Sequence, residues 1–178
     1  CKKESPSLVV MGTRSRFQKD ENLIGSVTAE VLEACKSPVM AISLGLKMLP
    51  EKIRRIAFLT NFDQKDLIAI DTAISFLNKD HLELVFIHAT QKKESWDEVM
   101  LAGIKEYFAN HYPNLKTEYA LLDKEKNLEQ IQPFLEASKI DLVALNTRKR
   151  SLFSRFFNLG IATRLLFNTD TPLLVMHL

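Results

Sequence analysis

Residues 7–43 of this chain recur, without a gap, at residues 141–177: SLVVMGTRSRFQKDENLIGSVTAEVLEACKSPVMAIS aligns with DLVALNTRKRSLFSRFFNLGIATRLLFNTDTPLLVMH. Leu8, Val9, Thr13, Arg14, Arg16, Leu32 and Pro38 fall on Leu142, Val143, Thr147, Arg148, Arg150, Leu166 and Pro172, each pair 134 positions apart. A period of that length is too long for a solenoid and fits a tandem pair of domains. The copies are unequally furnished. Residues 54–140 precede the second copy, whereas only residues 1–6 precede the first. On this reading the chain begins inside a domain.

Both copies share one pattern. Leu8–Met11 is a short apolar run of the kind buried on both faces in a parallel sheet. Leu23, Ile24, Val27, Val31 and Leu32 recur at helical spacing. Pro38 stops that helix and opens a strand, Val39 to Ile42. Residues 44–53, with Gly45 and Pro50, read as a linker whose Leu46, Met48 and Leu49 call for something to pack on. From Arg54 onward strands and helices alternate. Strands are predicted at Ile56–Leu59, Leu84–Ile87, 116–122, Leu142–Leu145 and Leu173–Met176. The intervening helices carry Leu67, Ile70, Ile74 and Leu77, then Trp96, Val99, Met100, Gly103, Ile104, Tyr107 and Phe108, then Leu128, Ile131 and Leu135, and finally Phe157 to Phe167. Alternation of this kind implies right-handed crossovers and a parallel sheet covered on both faces. The expected fold is therefore α/β. Residues 54–178 form a five-stranded parallel open sheet, and residues 1–43 are the strand–helix–strand remnant of another copy. Two strands and one helix bury too little apolar surface to stand alone, so the remnant must pack against a partner.

Composition narrows the function classes. The chain has 178 residues, 46% of them hydrophobic and 26% charged, an ordinary globular balance. A net charge of +2 gives no ground for nucleic-acid or membrane binding. No apolar run reaches the roughly 18 residues a membrane helix requires. Two cysteines, Cys1 and Cys35, make neither a disulfide framework nor a metal spacing, which points to a reducing cytoplasm. Cys1 has a sharper reading as a lipid-modified first residue and a plainer one as a boundary residue. The histidines lack carboxylate or cysteine partners at ligand spacing, so no metal is expected. No Gly-x-Ser-x-Gly elbow, Cys–His pairing or carboxylate pair suggests an enzyme.

One loop carries chemistry. After Met11 the chain reads Gly12-Thr13-Arg14-Ser15, then nine residues, then Gly25-Ser26-Val27-Thr28. Gly12 allows a sharp turn. Gly25 and Ser26 stand near a helix start, where free N–H groups and the helix dipole suit a phosphate. Ser26 and Thr28 can donate to phosphate oxygens, and Arg14 or Arg16 can add charge. On spacing alone an equally simple account has Gly12 making a turn and Ser26 capping a helix. In the second copy the densest basic run, Arg148-Lys149-Arg150 with Arg155, reads either as an anion site or as a solvated loop paired with acids.

The stretch LVVMGTRSRFQKDENLIGSVTAEVLEACKSPVMAI resembles the C-terminal signature of the universal stress protein family. That family's nucleotide binders carry G-x2-G-x9-G-[S/T] between the fourth strand and the last helix. Gly12 and Gly25-Ser26 match its first and third elements, and Ser15 stands at its second glycine. Residues 54–178 resemble one complete domain, down to the ending TPLLVMH. In this second copy Asn146 and Lys149 replace the first two glycines, Leu159 falls on the third and Gly160 on the hydroxyl position. Asn61, with Asp63 two residues on, falls where binders carry an adenosine-side Asp. The resemblance implies a regulatory, non-enzymatic stress-response protein. ATP or another adenine nucleotide is a candidate ligand of Gly12, Arg14, Ser15, Gly25, Ser26, Val27 and Thr28, and no cofactor is required. It also implies antiparallel pairing of last strands, residues 38–43 with 172–177, either within one chain or between two copies. The alternatives are a slow ATP-hydrolysing protein and a ligand-free dimerisation scaffold.

Overall fold

The structure, a computed structural model, describes residues 6–13, 28, 31–32, 35–43, 46, 50–77, 81–90, 95–123, 127–146 and 171–177. The chain divides into two compact units. One gathers Cys1–Met48 with Leu142–Leu178, and so contains both copies of the repeat. The other is the stretch between them, Leu49–Asp141.

The first unit holds four strands: β1 (Val9–Thr13), β2 (Val39–Ser43), β6 (Leu142–Asn146) and β7 (Leu173–Met176). β1 pairs parallel to β2, and β6 pairs parallel to β7. The registers are the same. Val9 faces Val39 and Val143 faces Leu173, each position shifted by the repeat period. Even the entry bonds match: Val9 N–H donates to the Pro38 carbonyl at 2.8 Å, and Val143 N–H to the Pro172 carbonyl at 2.9 Å.

β2 and β7 then join antiparallel, with Met40 opposite Leu174, Val39 opposite Val175 and Ala41 opposite Leu173. Met40 and Leu174 are themselves equivalent positions of the repeat. The flanking pairs exchange when the copies are exchanged, which is the signature of an isologous two-fold contact. All of Val39–Ala41 and Leu173–Met176 are buried. Apolar strand edges are costly to leave open, and each copy covers the other's.

The second unit is a three-stranded parallel sheet in the order β3 (Arg55–Leu59), β4 (Glu83–Thr90), β5 (Lys116–Asp123). Helix α1 (Gln64–Ser75) connects β3 to β4, helix α2 (Ser95–His111) connects β4 to β5, and α3 (Asn127–Ala137) follows β5. α1 buries Asp66, Ala69, Ile70, Ala73 and Ile74, the spacing of one helix face. Phe58, Phe86 and Phe108 are among the largest buried side chains, with the Phe86 ring 4.9 Å from Phe108 and 5.2 Å from Tyr119. Tyr107 and Tyr112 both donate to the Asp71 carboxylate, at 3.1 and 2.7 Å, tying α2 and the residue after it to α1.

The α/β class and the mostly parallel sheet agree with the sequence reading. Of the seven strands described, β3 to β7 fall within residues 54–178 and β1 and β2 within residues 1–43. The antiparallel β2–β7 contact is the reason that β7 is not an end. The helical pattern of α2 overreaches. Ile104 and Phe108 are buried, but Trp96 and Val99 are 65% and 57% exposed. Their spacing fits the helix, yet only its second half carries the buried positions. In the linker, Pro50–Lys52 form a 3-10 turn and Ile53 is buried, whereas Leu46, expected to pack, is 39% exposed.

Two predictions follow from the packing. Leu174→Ala removes a fully buried side chain at the centre of the β2–β7 contact, and is expected to cost about 2–5 kcal/mol in urea unfolding, with Leu121→Ala as an exposed control. Asp71→Ala removes two bonds to a charged acceptor and is expected to cost about 1–3 kcal/mol at pH 8. Burial, followed by Asp71 itself, raises both phenols, that of Tyr112 to about 12. A raised folded-state value means the bonds stabilise fully below the unfolded value of about 10 and fade as pH climbs through the folded one. The cost of Asp71→Ala is therefore expected to shrink between pH 8 and pH 11 in the same denaturation assay.

Candidate functional site

Ligands of open parallel sheets collect beyond the carboxyl ends of the strands. In the second unit this region begins where β3 ends. Thr60 N–H continues the ladder by donating to the Ile87 carbonyl at 3.0 Å. The chain then turns through Asn61, Phe62 and Asp63, with Phe62 in the left-handed region at φ 59.

Two carboxylates lock this turn. Asp63 caps α1, its Oδ1 accepting the N–H groups of Lys65 and Asp66 at 2.9 and 3.1 Å. Asp66, only 5% exposed, accepts the Thr60 hydroxyl at 2.9 Å and the Asn61 N–H at 2.8 Å through Oδ2. The Thr60 Oγ1 in turn accepts the Phe62 N–H at 2.8 Å. The Phe62 ring is thereby buried with its centroid 4.8 Å from that of His88. His88 Nδ1 lies 2.9 Å from the Thr60 carbonyl and so donates to it, leaving Nε2 to face Asp97 Oδ1 at 3.6 Å.

These contacts show how the residues at the second copy's Asn61 position are engaged. Asn61 is exposed, with its backbone committed to Asp66. Asp63 is spent on the cap. Phe62 fills the space beside His88 with an apolar ring. Asp66 escaped the sequence reading, although its place three residues after the Asp63 cap is the position from which an acidic side chain reaches back over a helix start.

In the first unit Gly12 lies inside β1, opposite Ile42, and the strand runs on to Thr13 opposite Ser43. The turn expected at Gly12 therefore falls at least one residue later. Thr28 is helical and buried. Arg14, Ser15, Gly25, Ser26 and Val27 lie outside the described residues, as do Arg148, Lys149, Leu159 and Gly160. Asn146, the counterpart of Gly12, ends β6 opposite Met176. Beyond β7, burial pushes the His177 ring below the usual histidine range, and a hydrogen bond with the backbone of Leu32 works the other way. The end of the second copy thus touches the helix of the first. Among the described residues no group of three or more His, Cys, Asp or Glu could hold a metal ion, and no helix is long and apolar enough to cross a membrane.

Comparison with known proteins fits this geometry. The model of the Universal stress protein family matches residues 1–43. A universal stress protein of known structure from Archaeoglobus fulgidus DSM 4304 aligns with a TM-score of 0.68 at 17% identity, over 96% of this chain and 60% of that one. A putative universal stress protein from Pseudomonas aeruginosa UCBPP-PA14 aligns with a TM-score of 0.63 at 13% identity, over 96% of this chain and 63% of that one. Among curated proteins, Jacalin-related lectin 14 of Arabidopsis thaliana is 26% identical over 107 residues, 59% of this chain and 17% of that protein. The chain thus spans 60–63% of the length of these solved relatives and far less of the curated one. Residues 1–43 thus match the Universal stress protein family model, and the chain as a whole shares the fold of the solved proteins with which it aligns.

The Asp66 network yields a local prediction. Asp66→Ala strands the Thr60 hydroxyl and the Asn61 N–H, and is expected to cost about 2–4 kcal/mol in urea unfolding. Hydrogen exchange at Asn61 and Phe62 is expected to speed up more than exchange in β5.

Proposed function

We propose that this chain is a regulatory, non-enzymatic stress-response protein of the universal stress protein type, acting through assembly of its two copies. The observation that carries the proposal is the isologous β2–β7 register centred on Met40 and Leu174. A contact in which each copy presents the same strand to the other is an association surface. In this chain it is made internally, so further association through β2 or β7 requires strand exchange. The non-enzymatic reading rests on the absence of a nucleophile–base constellation in the sequence, and on the engagement of His88 by Thr60 and Asp97.

Nucleotide, in this proposal, belongs to the first copy alone. Gly12 is exposed near the end of β1, and the sequence that follows it keeps Gly25 and Ser26. The second copy has Asn61 exposed, Asp63 spent on a cap and Phe62 filling the corner. Isothermal titration of ATP tests the assignment. Binding tighter than about 100 μM corresponds to about −5.5 kcal/mol. Loss of that binding in Gly25→Leu, with Asn146→Ala unaffected, is the expected pattern for a first-copy nucleotide site. No heat at millimolar ATP would leave the ligand-free scaffold as the function.

A further inference from the structure

At the opposite end of the second unit, where β3, β4 and β5 begin, the chain forms a recess of about 480 Å³ lined by Arg54, Arg55, His81, Glu83, Lys116, Lys139 and Asp141, with Leu82 and Asn114 completing the wall. Its charges are unevenly spent. Glu83 is saturated: Oε2 accepts Arg55 Nη1 at 2.9 Å and Oε1 accepts Lys116 Nζ at 3.1 Å. The bond from Lys116 is the largest influence holding this carboxyl below its ordinary value. The other Arg55 nitrogen, Nη2, is taken by Glu118. Asp141 accepts the backbone N–H groups of both Arg54 and Arg55 through Oδ2, each at 2.9 Å. Both acids of the recess, and two of its cations, are therefore committed. The guanidinium of Arg54, the ammonium of Lys139 and the ring of His81 have no ion pair among the described residues.

We propose that this recess binds a small phosphate-bearing molecule, held by the Arg54 guanidinium and the Lys139 ammonium. A guanidinium offers paired donors to an oxyanion and an ammonium a compact charge, the combination that phosphate recognition uses. The volume lies in the range of small-molecule sites and exceeds what a bare phosphate group occupies, which leaves room for the rest of a monoester. The recess is lined by residues of the second unit alone and shares none with the first-copy loop, so it stands independently of the first-copy assignment.

The experiment is a titration of the whole chain with inorganic phosphate, followed by calorimetry, in the parent protein, Arg54→Gln/Lys139→Gln and Ser26→Ala. Arg54 and Lys139 are exposed, and unchanged far-ultraviolet circular dichroism checks that the double variant folds. Saturable millimolar binding, weakened about tenfold or more by the double variant and sensitive to salt, is the expected result. Absence of saturable binding overturns the proposal. So does binding that the double variant leaves intact, and a loss confined to Ser26→Ala would assign the phosphate to the first-copy loop instead.

Discussion

The antiparallel contact between β2 and β7 is the interaction on which the first unit depends. Each strand ends a copy of the repeat, and each is apolar along its length. A strand of that composition at an open sheet edge exposes both its side chains and its unpaired backbone groups. Pairing the two satisfies both at once. The register is the one arrangement that treats the copies alike, because Met40 and Leu174 occupy the same place in the repeat. The same symmetry extends outward through β1–β2 and β6–β7, whose ladders begin with the same bond to a proline carbonyl.

The second unit is held on different terms. Its three strands share a charge ladder at their amino ends, where Arg55 faces Glu83 and Glu83 faces Lys116. Deeper in, Phe58, Phe86 and Tyr119 stand on neighbouring strands in register. Surface ion pairs of this kind stabilise weakly, and the aromatic layer contributes far more by burial. What the ladder does is set register: a slip by one residue between β4 and β5 would move Lys116 off Glu83 and turn Tyr119 to the other face of the sheet.

The two ends of the second unit's strands are built differently. At the carboxyl end of β3 the side chains of Thr60, Asp63 and Asp66 close the loop, Asp66 accepting the Thr60 hydroxyl and the Asn61 N–H, Thr60 accepting the Phe62 N–H and Asp63 capping α1, with the Phe62 ring beside His88. At the amino ends the balance is reversed, because the acids are satisfied and cations are left over.

Much of this was legible in the sequence. The repeat, its constant spacing and the alternation of apolar runs with helical patterns specify an α/β chain with a mostly parallel sheet, since periodicity reports which faces must be buried. The Asn61 and Asn146 departures from the glycine and aspartate pattern are visible in the same way. Three matters were decided only in three dimensions. The resemblance implied an antiparallel join between the copies, but its register, Met40 opposite Leu174, depends on how the edges meet, which no local pattern encodes. The exposure of Trp96 and Val99 depends on how far the sheet extends beneath α2, which helical spacing does not report. The roles of Asp66 and of the Arg54–Lys139 recess arise because the folded chain brings together residues far apart in sequence, such as Arg54 and Asp141, and a buried hydrogen bond or a shared charge exists only once that distance has closed.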